Sequence, residues 1–207
     1  MSIEYSLYLV TDRGILKGRD ILEAVEAAIK GGVTLLQLRE KDISSLGFYN
    51  LALKVKEITS RYNVPLIIND RLDIALAVDA DGLHIGQEDL PVEAARKLLG
   101  HSKILGYSVN DVEQALYGVR SGADYLGAGP VYPTGSKSDA AAPIGLDCLR
   151  EIKQKVSIPV VGIGGIGMDN VEDIRRTGID GISVISAILG SSDIEAASRT
   201  LANAWRK

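Results

Sequence analysis

The sequence predicts an α/β protein, a closed (β/α)8 barrel of the TIM type forming one domain over residues 1–207. Three features point there. Eight short apolar or β-branched runs recur, segments of helical period separate them, and several of those segments end in glycine just before the next run. Strands joined through helices run parallel, and eight such units with no second zone of composition favour closure over an open, doubly wound sheet.

The runs begin at Ser6 (SLYLVT), Thr34 (TLLQLR), Pro65 (PLIIN), Gly82 (GLHI), Ile104 (ILGYS), Asp124 (DYLGA), Pro159 (PVVGI) and Gly181 (GISVIS). Between the first two, Ile21, Leu22, Val25, Ala28 and Ile29 repeat with helical spacing; later Val112, Ala115, Leu116 and Val119 do the same. Gly32-Val33-Thr34, Gly122-Ala123-Asp124 and Gly178-Ile179-Asp180 precede strands two, six and eight as a weak internal repeat. A chain of 207 residues makes a minimal barrel, so the third helix, around Arg71 to Val78, is short.

A composition 46% hydrophobic and 24% charged is enough to bury a full-sized core. The net charge of -4 argues against a nucleic-acid footprint, so any anion site is local. No run approaches 18 apolar residues and no secretion signal is visible near the start, which leads to the expectation of a cytoplasmic protein that acts on small molecules without a membrane. Assembly with further copies of the chain stays open. The single cysteine, Cys148, excludes an intramolecular disulfide, and its helical neighbours Leu146, Leu149 and Ile152 suggest a small buried hydrophobe.

Barrels of this kind carry their chemistry at the C-terminal ends of the strands. Strand two ends in Gln37-Leu38-Arg39-Glu40-Lys41, and alternation puts Leu36, Leu38 and Glu40 on one face and Gln37, Arg39 and Lys41 on the other, expected to project toward the mouth. Strand three ends in Asn69-Asp70, and strand four is followed by Gln87-Glu88-Asp89. Asp70 and Asp89 can share a hard cation such as Mg2+, although each also suits a helix N-cap. Ser108 ends strand five, with anion contact and helix capping both open. After strands seven and eight, Gly164, Gly165, Ile185 and Ser186 suit phosphate binding through backbone N–H groups. The long connection GPVYPTGSKSDAA, from Gly129, carries Thr134, Gly135, Ser136 and Lys137 and can close over an anionic substrate. His84 reads as a core or mouth residue and His101 as solvated; no Ser-His-Asp arrangement and no His-rich metal site emerges.

Six blocks then carry a resemblance: YLVTD from Tyr8, QLREK from Gln37, IND from Ile68, GLHIGQED from Gly82, GPVYPT from Gly129 with Ser136-Lys137, and GGI from Gly164. In order and across nearly the whole chain, they resemble the thiamine-phosphate synthase family. The resemblance implies a transferase that joins a pyrimidine-methyl diphosphate to a thiazole phosphate, releasing diphosphate and forming thiamine phosphate through a pyrimidine-methyl cation. It implies Gln37, Leu38, Arg39, Glu40, Lys41, Asn69, Ser108 and Lys137 as contacts of the pyrimidine diphosphate, with Arg39, Lys41, Lys137 and Ser108 assisting catalysis. It further implies Thr134, Gly135, Ser136, Gly165, Ile185 and Ser186 around the thiazole phosphate, and one Mg2+ on Asp70 and Asp89.

The chain departs from many relatives at Asn110, where a histidine commonly stands. A thiazole tautomerase on the same scaffold resembles this family too, but carries a histidine in the segment matching Gly129-Pro130-Val131. A non-catalytic phosphate-binding barrel would not need Asp70, Asp89 and Lys137 together. For a Schiff-base aldolase, Lys41 and Lys137 sit in surroundings too polar to depress a lysine pKa.

Overall fold

A computed structural model describes residues 3–135 and 142–206. Among them, eight parallel strands pair in sequence order and close into a barrel. They are β1 (Leu7–Val10), β2 (Leu35–Leu38), β3 (Leu66–Asn69), β4 (Gly82–Ile85), β5 (Ile104–Val109), β6 (Tyr125–Ala128), β7 (Val160–Ile163) and β8 (Gly181–Val184). Each falls within one of the eight apolar runs, except that β5 continues one residue past its run, to Val109. Among the described residues ten helices lie between the strands and after the last of them: α1 (Arg13–Leu16), α2 (Ile21–Lys30), α3 (Ser45–Arg61), α4 (Leu72–Ala77), α5 (Val92–Leu99), α6 (Val112–Ser121), α7 (Gly145–Lys155), α8 (Val171–Arg175), α9 (Ser186–Leu189) and α10 (Ile194–Arg206). The third crossover helix, α4, is short, as expected.

Strand alternation divides the core into two parts. Outward side chains such as Leu36, Leu38, Leu66, Ile68 and Leu126 pack under the helices with Val25, Ala52, Val55 and Ile152. Inward ones, Tyr8, Leu35, Ile67, Tyr125 and Val161, fill the barrel itself together with Tyr5, which lies just before β1. The barrel is therefore a packed core rather than a pore, and ligands can only approach its rim. Cys148 is half-buried on α7 rather than fully buried, its thiol 3.7 Å from the carbonyl oxygen of Asn110. Burial raises its pKa above the ordinary thiol value.

The internal repeat has a physical basis at the N-terminal end of the barrel, and it is fourfold rather than threefold. Thr34 Oγ1 accepts from the N–H of Leu7 at 3.1 Å, and Asp81 Oδ2 from Leu66 at 2.8 Å. Asp124 Oδ2 accepts from Leu105 and Asp180 Oδ2 from Val160, both at 2.7 Å. The residue leading each even strand thus satisfies an N–H at the start of the preceding odd strand, that of the first residue in β1, β3 and β7 and of the second, Leu105, in β5. Strand four was hidden from the glycine pattern because Asp79, at φ 52°, takes the left-handed place that Gly32, Gly122 and Gly178 hold in the other three.

Candidate active site

At the opposite, C-terminal end of the strands opens a cavity of about 490 Å3, lined from the β3, β4, β5, β6, β7 and β8 ends. A recess of about 360 Å3 continues beside it between the β1 and β2 loops, and Lys41 lines both.

Asp70 owes its position to its backbone. Its φ is 60°, the left-handed region that few side chains other than Asn and Asp occupy, and its N–H donates to the His84 carbonyl at 2.8 Å. The carboxylate turns to Lys41, whose Nζ lies 2.6 Å from Oδ2. Asp70 does not cap α4, which has no side-chain cap. Asp89 Oδ2 accepts from the N–H of Gly86 at 2.7 Å, closing a turn after β4 rather than capping α5. Burial pushes the Asp89 carboxyl above its usual range and the adjacent charge of Asp70 adds to the rise, while the Gly86 N–H opposes it. Two carboxylates held together, one of them partly desolvated, form a hard oxygen donor set that fits one divalent cation and its retained waters. Among the described residues no group of three or more His, Cys, Asp and Glu offers an alternative metal site.

A raised carboxylate has a definite sign in stability. Asp89 favours the fold when protonated, and this contribution is lost as pH rises through its elevated pKa. Asp89→Asn keeps an acceptor for Gly86 and removes the charge, so the metal-free variant is expected to melt roughly 2–4 °C higher than wild type at pH 7. That corresponds to at most about 1 kcal/mol, since a partly exposed group is screened. The gain should vanish near pH 3, where the ordinary aspartate is also mostly protonated. Thermal melts at the two pH values check it.

Ser108 Oγ lies 2.9 Å from His84 Nε2 and lines the cavity. It does not cap α6; Asp111 does, accepting from the N–H of Gln114 at 2.8 Å. His84 is 7% exposed, so it belongs to the core and meets the mouth through Ser108, and His101 is exposed.

The cations after β2 are prearranged by neighbouring acids. Arg39 donates to Asp12 at 3.2 Å, its N–H reaches Thr11 Oγ1 at 2.9 Å, and it lines the recess. Glu40 is a fastener, accepting from Arg13 Nε at 2.8 Å through both oxygens. Leu38 is fully buried beneath the helices, which leaves only its backbone for a ligand. The expectation that Gln37 projects into the mouth needs correction. At 4% exposure it lies inside the barrel, and its amide donates to Tyr8 OH at 2.7 Å. Alternation places it inward, but Lys41 and Arg39 lie beyond the strand end, where the same phase opens to solvent. Asn69 is likewise buried, at the end of β3.

On the far side, Gly164 and Gly165 have φ of 96° and 65°. A Cβ on Gly164 would lie 2.5 Å from the Pro130 side chain, and one on Gly165 would lie 2.7 Å from Tyr132 Cβ. Glycine is required here to seat the β6 loop. Thr134, Gly165, Ile185 and Ser186 all line the cavity, whereas Gly135 is exposed outside its lining. Ser136 and Lys137 lie outside the described residues. Asn110, at the departure from many relatives, bridges two mouth loops: it donates to the Gly129 carbonyl at 2.7 Å and accepts from Gln87 at 2.6 Å. Sequence reasoning missed Ser183, whose buried Oγ lacks a hydrogen-bond partner among the described residues and which lines the cavity. Its inward phase in GISVIS, between Ile182 and Val184, was the available signal.

Fold and mouth together define a class, that of barrel enzymes handling small phosphorylated molecules at the strand C-termini. A family model described as thiamine monophosphate synthase matches residues 7–188, and the chain belongs to that family. It is 59% identical over 206 residues to a thiamine-phosphate synthase of Desulfitobacterium hafniense, covering 100% of both chains. It is 57% identical over 203 residues to a thiamine-phosphate synthase of Clostridium novyi, covering 98% of this chain and 100% of that one. The solved structure of a thiamine phosphate pyrophosphorylase from Pyrococcus furiosus superposes with a TM-score of 0.90 at 40% identity, covering 99% of this chain and 96% of that one.

Proposed function

We propose that the protein makes thiamine phosphate by coupling 4-amino-5-hydroxymethyl-2-methylpyrimidine diphosphate to a thiazole phosphate, with release of diphosphate. The observation that carries this reading is the convergence of Asp70, Asp89, Lys41 and Ser108 with Gly164, Gly165, Ile185 and Ser186 around one cavity. The first set suits the leaving diphosphate and the second the phosphate of the acceptor, so two phosphorylated ligands meet with their reacting ends between them.

Asp70 and Asp89 would hold one Mg2+, which when bound neutralises charge on the diphosphate. Lys41 and Arg39 border the recess beside that position and stabilise the charge that grows on diphosphate as the carbon–oxygen bond breaks. Lys137 would act with them. The aminopyrimidine ring delocalises the positive charge left on its methylene, and the thiazole nitrogen captures it, so no protein nucleophile is required. Gln37, Leu38, Glu40 and Asn69 support the pyrimidine side from within and behind the strand ends. Thr134, Gly135, Ser136, Gly165, Ile185 and Ser186 hold the thiazole phosphate, and the Ser183 hydroxyl supplies a further polar group at that end. Among the described residues no helix is long and apolar enough to cross a membrane.

Incubation with both phosphorylated precursors and Mg2+ should yield thiamine phosphate by mass spectrometry. Its absence, with folded protein, would sink the proposal.

A further inference from the structure

Five polar side chains from five strands form one continuous hydrogen-bonded chain through the barrel. Gln37 Nε2 on β2 donates to Tyr8 OH on β1 at 2.7 Å. The Tyr8 and Tyr125 phenol oxygens, on β1 and β6, lie 2.7 Å apart. Tyr125 OH is 2.8 Å from His84 Nδ1 on β4, and His84 Nε2 is 2.9 Å from Ser108 Oγ on β5. The first four side chains are buried, and the fifth reaches the cavity. The fold reserves space for this chain: a Cβ on Gly106 would collide with Tyr125 and His84, and one on Gly127 would press on the His84 ring.

The direction of the chain follows from its first member. An amide nitrogen donates and does not accept. The Tyr8 oxygen receives the Gln37 hydrogen, so its own hydrogen goes to Tyr125. Tyr125 in turn gives its hydrogen to His84 Nδ1. A neutral imidazole accepting at Nδ1 carries its hydrogen on Nε2, which donates to Ser108. Ser108 is then left with a hydroxyl hydrogen that nothing in the chain consumes. Burial raises the pKa of both Tyr8 and Tyr125, which keeps each phenol protonated with one hydrogen to pass on.

We propose that Tyr8, Tyr125 and His84 are positioning residues that make Ser108 a hydrogen-bond donor to the mouth cavity, there to meet an acceptor atom of the pyrimidine diphosphate. The ligand assignment rests on the function proposed above; the polarity of the chain does not. The reverse polarity, with the Gln37 amide turned over, would make Ser108 donate inward to His84 Nε2 and leave only lone pairs facing the cavity. The two arrangements differ in a measurable way, the tautomer of His84.

The protein has two histidines, His84 and His101. Nitrogen NMR of 15N-histidine-labelled protein without ligands, assigned with His101→Gln, should show His84 neutral and protonated at Nε2. An Nδ1-protonated ring or an imidazolium overturns the proposal. Kinetics supply the second test. Tyr8→Phe should raise KM for the pyrimidine diphosphate about fivefold, leaving KM for the thiazole phosphate within twofold. Placed on Ser108→Ala, the same change should add nothing further, because Tyr8 acts through Ser108. Equal fivefold penalties in both backgrounds, or a parallel rise in both KM values, overturns it, since a purely structural defect behaves that way. If Tyr8→Phe does not fold, the wild-type histidine spectrum still decides. Wild-type protein that makes no thiamine phosphate would refute the function alone, leaving the spectrum to judge the polarity.

Discussion

Asp70→Asn is expected to slow turnover at least tenfold, about 1.4 kcal/mol of barrier, with little change in melting temperature. The fold tolerates the change because asparagine is among the few residues at ease in the left-handed conformation that position 70 adopts at φ 60°. The N–H bond to the His84 carbonyl involves only backbone and persists. What disappears is one negative charge. Its ion pair with Lys41 is partly exposed on both sides and contributes little to stability. The partnership with Asp89 that we propose for a divalent cation is one an amide cannot replace. Steady-state rates across a Mg2+ titration, beside thermal melts, check both halves. An unchanged rate would assign Asp70 to structure alone.

The second large effect lies at the opposite end of the barrel, and there stability should fall while KM values stay put. Asp124 Oδ2 accepts from the N–H of Leu105 and also pairs with Arg96, a side chain 8% exposed. Arg96 donates to the carbonyls of Gly100, Lys103 and Gly122, so it clamps the ends of α5 and α6 against the strands. Asp124→Ala leaves a buried guanidinium without its carboxylate and an N–H without its acceptor. Roughly 2–3 kcal/mol should be lost, less than for a fully buried pair because Asp124 itself is half-exposed. For a chain of this size that is a fall of about 5–10 °C in melting temperature. Asp124→Asn, which keeps an acceptor for Leu105, should recover part of it. A melt within 1 °C of wild type for the alanine variant would show that the lead residues of the even strands contribute nothing.

The barrel was legible because its elements are written in short-range pattern. A run such as SLYLVT or PVVGI needs only its own alternation to be read as a strand, and a segment such as Ile21 to Ile29 only its spacing to be read as a helix. Asp70, Asp89, Ser108, Gly164 and Gly165 were legible for a related reason: strand ends identify the rim, and rim residues of the right chemistry are few. The fourfold strand-lead device was only partly visible, since Asp79 does with a left-handed aspartate what glycine does elsewhere. The Gly164-Gly165 pair was read as a candidate anion loop but not as the seat of Pro130 and Tyr132, which come from the loop after β6.

Order of elements, closure of the barrel, location of the rim and the residue types at it follow from periodicity, because each depends on neighbours a few positions away. Which rim groups pair does not. Capping or ligand-facing roles for Asp70, Asp89 and Ser108 stayed open until folding set Lys41 on Asp70, Gly86 on Asp89 and His84 on Ser108. Gln37 went inward to Tyr8 for the same reason, and the line from Gln37 to Ser108 joins residues as much as 117 positions apart. Contacts at that separation are selected by closure, which brings the inward faces of β1, β2, β4, β5 and β6 within one side chain of each other; no local pattern encodes that distance.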